Sequence, residues 1–328
     1  MKFGLFLQPY PRFGDIHGVI KTAQLADDLG FDTVGFGEQV VWPTSHLGTV
    51  SPTIFESTVL MTALALATKR IVIYPTILVL PYHHPVRLAK AIATLDHLCN
   101  GRLMLGIGVG WLEQVFPVMG VSFKERGAMS DEYILAMKEL WTSERPQFSG
   151  RYVSFKDLVF EPRPLQKPHP PLIIGGYVRR ALVRAAEFGD GAHPGSRPWE
   201  QLKEDLAYLR GLLKQKGRTM DRFPLCCEIN YGATPPEIAA IRRKRGLHEF
   251  PPLSHDPDKA LEQIAAYAEL GFTHLVVRFP ENTMPELHRA MERFSREIME
   301  LAKNNPEAMP PLKLQAKAGK EEGRGQIH

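Results

Sequence analysis

Apolar residues fall into short runs and helical stripes that alternate almost from the first position. Lys2 to Gln8 (KFGLFLQ) reads as a buried strand. Val19 to Leu29 carries apolar positions at helical spacing and stops at Gly30, a natural helix terminator. Thr33 to Glu38 predicts a second strand ending in a carboxylate, and Phe55 to Thr68 a second helix. Ile71 to Leu80 is a third strand, followed by a helix over Pro85 to Leu98 whose early proline gives up an N–H that has no helical partner anyway. Leu103 to Ile107 is a fourth apolar run bounded by turn signals, and Lys124 to Trp141 a long amphipathic helix. Pro146 to Pro171 is proline-rich with two β-like pieces, Arg151 to Phe155 and Leu158 to Phe160, and reads as an excursion from the repeat. Pro171 to Gly176, Gly191 to Pro194, Phe223 to Tyr231 and Thr273 to Phe279 supply four more strands. The helices between and after them run over Val178 to Phe188, Pro198 to Lys216, Pro257 to Leu270 and Pro285 to Lys303.

Eight strands alternating with helices predict one (β/α)8 TIM barrel over residues 1–303, with insertions at about 146–171 and 233–255. Residues 304–328, rich in Lys, Glu, Gly and Pro, read as a flexible tail. A doubly wound open sheet is the rival arrangement. The barrel directs attention to the C-terminal strand ends, where such enzymes keep their active sites. Those ends are Gln8–Arg12, Glu38–His46, Thr76–His84, Val109–Glu113, Gly175–Arg180, His193–Arg197, Glu228–Tyr231 and Arg278.

Composition narrows the class without changing the fold. Apolar residues make up 44% and charged residues 23% of 328, as in a soluble globular protein. A net charge of +4, with no basic stripe interleaved with aromatics, does not call for nucleic acid. Three cysteines, two of them the neighbours Cys226 and Cys227, suit reduced thiols in a cytoplasmic protein rather than a disulfide framework. No apolar run approaches the ~18 residues of a membrane span, and no signal peptide precedes Phe3, so the expected location is cytoplasmic.

Three stretches carry candidate chemistry. In GRLMLGIGVGW, Gly106, Gly108 and Gly110 alternate, so an extended chain leaves one face bare for a neighbouring backbone or a flat ring; the bland reading is tight internal packing. The stretch lacks the third glycine of a dinucleotide fingerprint. Gly175-Gly176-Tyr177 joins a strand to a helix, where backbone N–H groups suit an anion such as phosphate, with Arg179 and Arg180 adding charge; the bland reading is an ordinary tight turn. Glu38 ends a strand at the barrel mouth, ahead of Gln39, Trp42 and His46, as a catalytic or an ion-paired carboxylate. Histidines 83 and 84, as neighbours, point to opposite faces and do not suit one metal ion, and there is no GxSxG elbow.

The segments MKFGLFL, TVGFGEQVVWP, RIVIYPTILVLPYHHPVRLAK, GRLMLGIGVGW, KPHPPLIIGG and RAAEFGDGA, in that order from Met1 to about Lys303, resemble the luciferase-like monooxygenase superfamily. Within it they most resemble the F420-dependent oxidoreductases. The resemblance implies a (β/α)8 barrel binding F420 or FMN at the strand C-termini, in many members as a homodimer. It implies a non-prolyl cis peptide at Thr76–Ile77 behind the central cofactor ring. It implies a cofactor lining at Gly108, Val109, Gly110 and Trp111, and a phosphate cradle at Gly175, Gly176 and Tyr177 with Arg179 beside it. Glu38 matches an acidic residue next to the ring. The residue after it is commonly a catalytic histidine in the family; here it is Gln39, which cannot shuttle a proton, leaving Glu38 or His46 to take over.

The resulting expectation is hydride transfer between a small organic substrate and F420, with Tyr10, Arg12, Trp42, His46 and Trp111 walling the substrate space. An FMN-dependent monooxygenase is the alternative within the family. A non-catalytic flavin-binding barrel is kept alive by Gln39. A phosphate-binding isomerase or aldolase would want a buried strand-end lysine, which strands three to eight lack.

Overall fold

The computed structural model describes residues 1–47, 51–195, 197–233 and 252–304, with a few isolated positions between 236 and 243. Eight short parallel strands run Lys2–Phe6 (β1), Thr33–Phe36 (β2), Val72–Pro75 (β3), Leu105–Gly108 (β4), Leu172–Gly176 (β5), Gly191–Pro194 (β6), Cys226–Asn230 (β7) and His274–Arg278 (β8). β7, β8, β1, β2 and β3 form one continuous ladder, and β4, β5 and β6 another. Single parallel bridges, Ile73 to Leu103 and Ala192 to Leu225, join the two ladders and close the barrel. The first and last strands are neighbours, with Leu5 opposite Val277 on one side and Val34 on the other.

Alternation along the strands sorts side chains into two cores. Phe6, Tyr74, Met104, Ile173, Cys226 and Val276 point inward and fill the barrel lumen. Their neighbours Leu5, Ile73, Leu105, Leu172, Cys227 and Val277 point outward into the layer beneath the helices. Both strand faces are therefore buried, which is why the strands read as near-continuous apolar runs.

Helices Ile16–Asp28 (α1), Ser57–Ala67 (α2), Pro85–Leu98 (α3), Arg126–Thr142 (α4), Arg179–Phe188 (α5), Trp199–Gln215 (α6), Pro257–Glu269 (α7) and Met284–Phe294 (α8) surround the barrel. Asp15, Glu56 and Asp256 cap α1, α2 and α7 through their carboxylates, each satisfying first-turn N–H groups that have no helical partner. Asp27, at the end of α1, does more: its buried carboxylate accepts N–H bonds from Lys69 (2.6 Å), Arg70 and Ile71 (2.8 Å), where the chain enters β3. Burial pushes its pKa up, but the three backbone N–H groups outweigh burial, and the net shift is downward. A depressed carboxylate contributes stability that is complete above its unfolded pKa of about 3.9 and lost as pH falls through the folded value. Asp27→Ala is accordingly expected to cost about 2–4 kcal/mol at pH 7, read from the urea midpoint, with the gap to wild type closing in acid.

The sequence reading and the structure part company at three elements. The expected strand Ile71–Leu80 is broken: Val72–Pro75 pairs with β2, whereas Leu78–Val79 pairs with β4, across a cis peptide between Thr76 and Ile77. In the 146–171 excursion the pairing is Phe148–Ser149 with Ser154–Phe155. The expected piece starting at Arg151 is shortened because Glu132 of α4 takes the N–H groups of Arg151, Tyr152 and Val153. Leu158–Phe160 forms no strand. Most of 233–255 and all of 305–328 lie outside the described residues.

Candidate active site

The C-terminal strand ends surround a cavity of about 550 Å³, and each of the eight strand ends contributes to its lining. The wall between β3 and β4 is built around Ile77. A Cβ on Gly108 would stand 2.0 Å from Ile77 Cδ1, one on Gly106 2.1 Å from the Pro75 carbonyl oxygen, and one on Gly175 2.7 Å from Ile77 Cγ2. The bare glycine face of β4 thus receives the Thr76–Ile77 bulge, and it is Ile77, with Val79, that presents apolar surface to the cavity. This corrects two expectations. Gly108 sits behind Ile77 and does not line the cavity, and the alternating face does not reach Gly110, whose φ of +77° takes it out of the strand. Val109, Gly110 and Trp111 do line the cavity.

Glu38 and Gln39 also line it, and each is tied to the backbone. Glu38 Oε2 accepts the Val79 N–H at 2.6 Å, and His83 Nε2 lies 3.0 and 3.1 Å from the two carboxylate oxygens. Gln39 Nε2 donates to the Val41 carbonyl at 2.7 Å. Burial pulls the His83 pKa down, but the hydrogen bond and charge of Glu38 outweigh it and hold it above the ordinary value. The carboxylate is thus a clamp: it ties the loop after β2 to the strand that follows the bulge.

The floor is polar. Glu228 accepts from Thr76 Oγ1 at 3.1 Å and from Arg278, whose Nε is 2.7 Å away and whose guanidinium lies 3.7 Å above the Phe6 ring. Beside them, His193 on β6 reaches across the lumen to Tyr74 on β3, with Nδ1 2.8 Å from the hydroxyl.

At the far end, Gly175, Gly176 and Tyr177 lead into α5, which begins without a side-chain cap. A Cβ at Gly176 would stand 2.6 Å from the Ala181 Cβ, so the backbone packs against the helix start as only glycine allows. Two cations not singled out from the sequence face this end, Arg126 and Arg184, both on helices. Arg126 donates to the Phe123 carbonyl at 2.6 Å and stacks 3.6 Å over the Phe123 ring, while Arg184 is held by Asp131 and the Gly127 carbonyl. Arg179, expected here, does not line the cavity: it turns outward, over the Tyr208 ring and toward Asp205.

At the mouth Trp42 and Trp111 line the cavity with ring centroids 6.4 Å apart; His46, expected to line it too, does not, and instead packs against both tryptophans at 5.8 and 6.1 Å. Tyr10 and Arg12, expected on this wall, are elsewhere. Tyr10 is buried against Phe55. Arg12 is buried and donates to the carbonyls of Phe6, Gln8, Phe279 and Glu281, because the chain after β1 turns inward over the β8 end. Among the described residues no cluster of His, Cys, Asp and Glu is arranged to hold a metal, and no helix is long and apolar enough to cross a membrane.

The molecule is a closed parallel barrel with a cavity at its strand C-termini, one end of it apolar and aromatic and the other built of glycines and arginines. The chain belongs to the luciferase-like monooxygenase family, which matches residues 1–248. The F420-dependent glucose-6-phosphate dehydrogenase of Microbacterium testaceum is 29% identical over 303 residues, 81% of this chain and 88% of that enzyme. The FMNH2-dependent dimethylsulfone monooxygenase of Pseudomonas putida is 29% identical over 211 residues, 61% of this chain but only 54% of that enzyme's length. Among solved structures, an F420-dependent secondary alcohol dehydrogenase in complex with an F420–acetone adduct superposes with a TM-score of 0.75 at 19% identity, over 91% of this chain and 98% of that one. The monooxygenase RslO1 from Streptomyces bottropensis gives 0.75 at 23% identity, over 92% and 99%.

Proposed function

We propose that the protein is an F420-dependent oxidoreductase that moves a hydride between a small organic substrate and the deazaflavin. The observation that carries this reading is the division of one cavity into two chemistries. The Gly175–Tyr177 turn, the uncapped start of α5, Arg126 and Arg184 suit a phosphate, since backbone N–H groups at a helix N-terminus and guanidinium groups both favour an anion. Ile77, Val79 and Val109 offer apolar surface to a flat ring, and Trp42, Trp111 and Ile54 would shield the space beyond from water. The length over which the chain follows the F420-dependent glucose-6-phosphate dehydrogenases, against the shorter stretch shared with the FMNH2-dependent monooxygenase, supports F420 over FMN.

When bound, F420 supplies a two-electron hydride acceptor or donor. The chain's own residues bind, orient and exclude water. Arg126 and Arg184 are pinned by carbonyls and by Asp131, so their charge is fixed in place before a ligand arrives. Glu38 and His83 hold the bulge strand that carries Ile77.

Side-by-side fluorescence titration of the cofactor-free protein with F420 and with FMN tests the reading. F420 is expected to bind at least about tenfold more tightly, a difference of ~1.4 kcal/mol. Tighter FMN binding would move the protein to the flavin monooxygenases, with oxygen consumption as the next assay, and binding of neither would overturn the reading.

A further inference from the structure

Gln39 leaves the proposed reaction without an obvious proton acceptor, and Glu38 is occupied by Val79 and His83. Resting on the F420 reading above, we propose that His193, positioned by Tyr74, is the acid–base residue of the cavity.

His193 ends β6 within the cavity lining, between Gly175 on one neighbouring strand and the Glu228–Arg278 pair on the floor. His193 is 9% exposed, its Nδ1 is bound to the Tyr74 hydroxyl at 2.8 Å, and among the described residues Nε2 has no hydrogen-bond partner. The groups around this dyad are Cys226 against the Tyr74 hydroxyl, and Glu228 and Arg278 acting on His193. Tyr74 is wholly buried, which holds its hydroxyl protonated. If that hydroxyl donates to the Cys226 sulfur, its oxygen accepts Nδ1–H and the Nε2 lone pair is left for the cavity. Burial also lowers the His193 pKa, so the ring is neutral and able to accept a proton near pH 7.

The step balances. The carbinol C–H bond breaks and its hydride, carrying both electrons, passes to oxidised F420. The O–H bond breaks and its proton passes to His193 Nε2, while the oxygen's electron pair closes the carbonyl. The imidazolium, with Nδ1–H still bonded to Tyr74, then releases the proton to water. In the reverse direction the same group donates the proton to a carbonyl being reduced.

The test combines NMR of ring-labelled protein with kinetics. In the cofactor-free wild type, the His193 resonances at pH 7 are expected to show the neutral Nδ1–H form. The Nε2–H form would overturn the proton-acceptor role, whatever the protein binds. The F420-loaded wild type is assayed on propan-2-ol, other primary and secondary alcohols, and glucose 6-phosphate. Oxidation of none, with F420 bound, would overturn the acid–base role while leaving the F420 assignment standing. On an alcohol that is oxidised, His193→Gln is expected to lower kcat by about 100-fold or more with KM and F420 affinity nearly unchanged. Full turnover with normal F420 affinity would overturn the role of His193 alone, and failure of the wild type to bind F420 would overturn both readings. Tyr74→Phe guards against a variant that fails to fold. Without the oxygen that accepts Nδ1–H the imidazolium is destabilised, so the acid limb of the kcat profile should move to lower pH. An unmoved limb would remove Tyr74 as a positioning residue.

Discussion

Replacing Gly176 with aspartate is expected to weaken F420 binding by at least about 100-fold, or ~2.7 kcal/mol, while far-UV circular dichroism stays unchanged. Two effects act in the same direction. Gly176 has φ +150°, a conformation that residues with a Cβ rarely adopt, and an added Cβ would stand 2.6 Å from that of Ala181. The turn must therefore move, at a local cost of about 1–3 kcal/mol. The new carboxylate would also occupy the anion end faced by Arg126 and Arg184, pairing with the arginines and repelling a phosphate. Gly176→Ala carries the steric change alone, so the gap in affinity between the two variants isolates the charge. Unchanged F420 affinity in Gly176→Asp would remove this turn from the binding site.

Loss of the Glu38 carboxylate is the second large effect. Its side chain is 4% exposed and that of His83 17%, so Glu38→Ala strands a buried imidazole and a backbone N–H, at an expected cost of about 3–5 kcal/mol. The pair also fixes a pH dependence. His83 has a raised folded pKa, so its contribution is complete below the unfolded value of about 6.5 and is lost as pH rises through the folded one. Urea midpoints measured on either side of that window should fall with rising pH in the wild type and lose this step in Glu38→Gln. The same substitution separates two roles. If Glu38 also transfers a proton, Glu38→Gln should lower turnover far more than it lowers F420 affinity. If it only clamps the bulge, affinity and stability should fall together. A variant as stable and as active as the wild type would deny it both roles.

The barrel was legible because its signals are local and repeated. Gly30 follows α1, Pro85 opens α3, and a buried strand such as β5 begins with the uninterrupted apolar run Leu172-Ile173-Ile174. The list of strand ends located the cavity for the same reason, since every one of those segments contributes to its lining. What escaped were matters of direction. Arg126 and Arg184 lie within helical patterns, where a charged residue reads as a solvated face, and only the packing of α4 and α5 brings both to the ligand end. Arg179 sits closer in sequence to the glycine turn but at the first position of α5, on the side that faces Asp205. Arg12 and Tyr10 follow a strand end, as an active-site residue would, yet the chain there folds into the core. The alternating glycines signalled close approach correctly; no local pattern told that the approaching group would be Ile77. The Tyr74–His193 contact joins residues 119 positions apart, beyond the reach of any periodicity.

The seam between β1 and β8 has a consequence for how the chain comes into being. β1 and one of its two partners, β8, lie far apart along the chain, with Lys2 opposite His274, and the four carbonyls that hold Arg12 are divided between them, Phe6 and Gln8 at β1 and Phe279 and Glu281 after β8. At roughly 5–20 residues per second, β1 waits tens of seconds at the ribosome with one edge unpaired. Lys2, the exposed residue of an otherwise buried strand, is the charge that edge carries meanwhile. Barrel closure is therefore a late event, and a ribosome stalled before β8 would hold a sheet open along both of the edges that this strand normally joins.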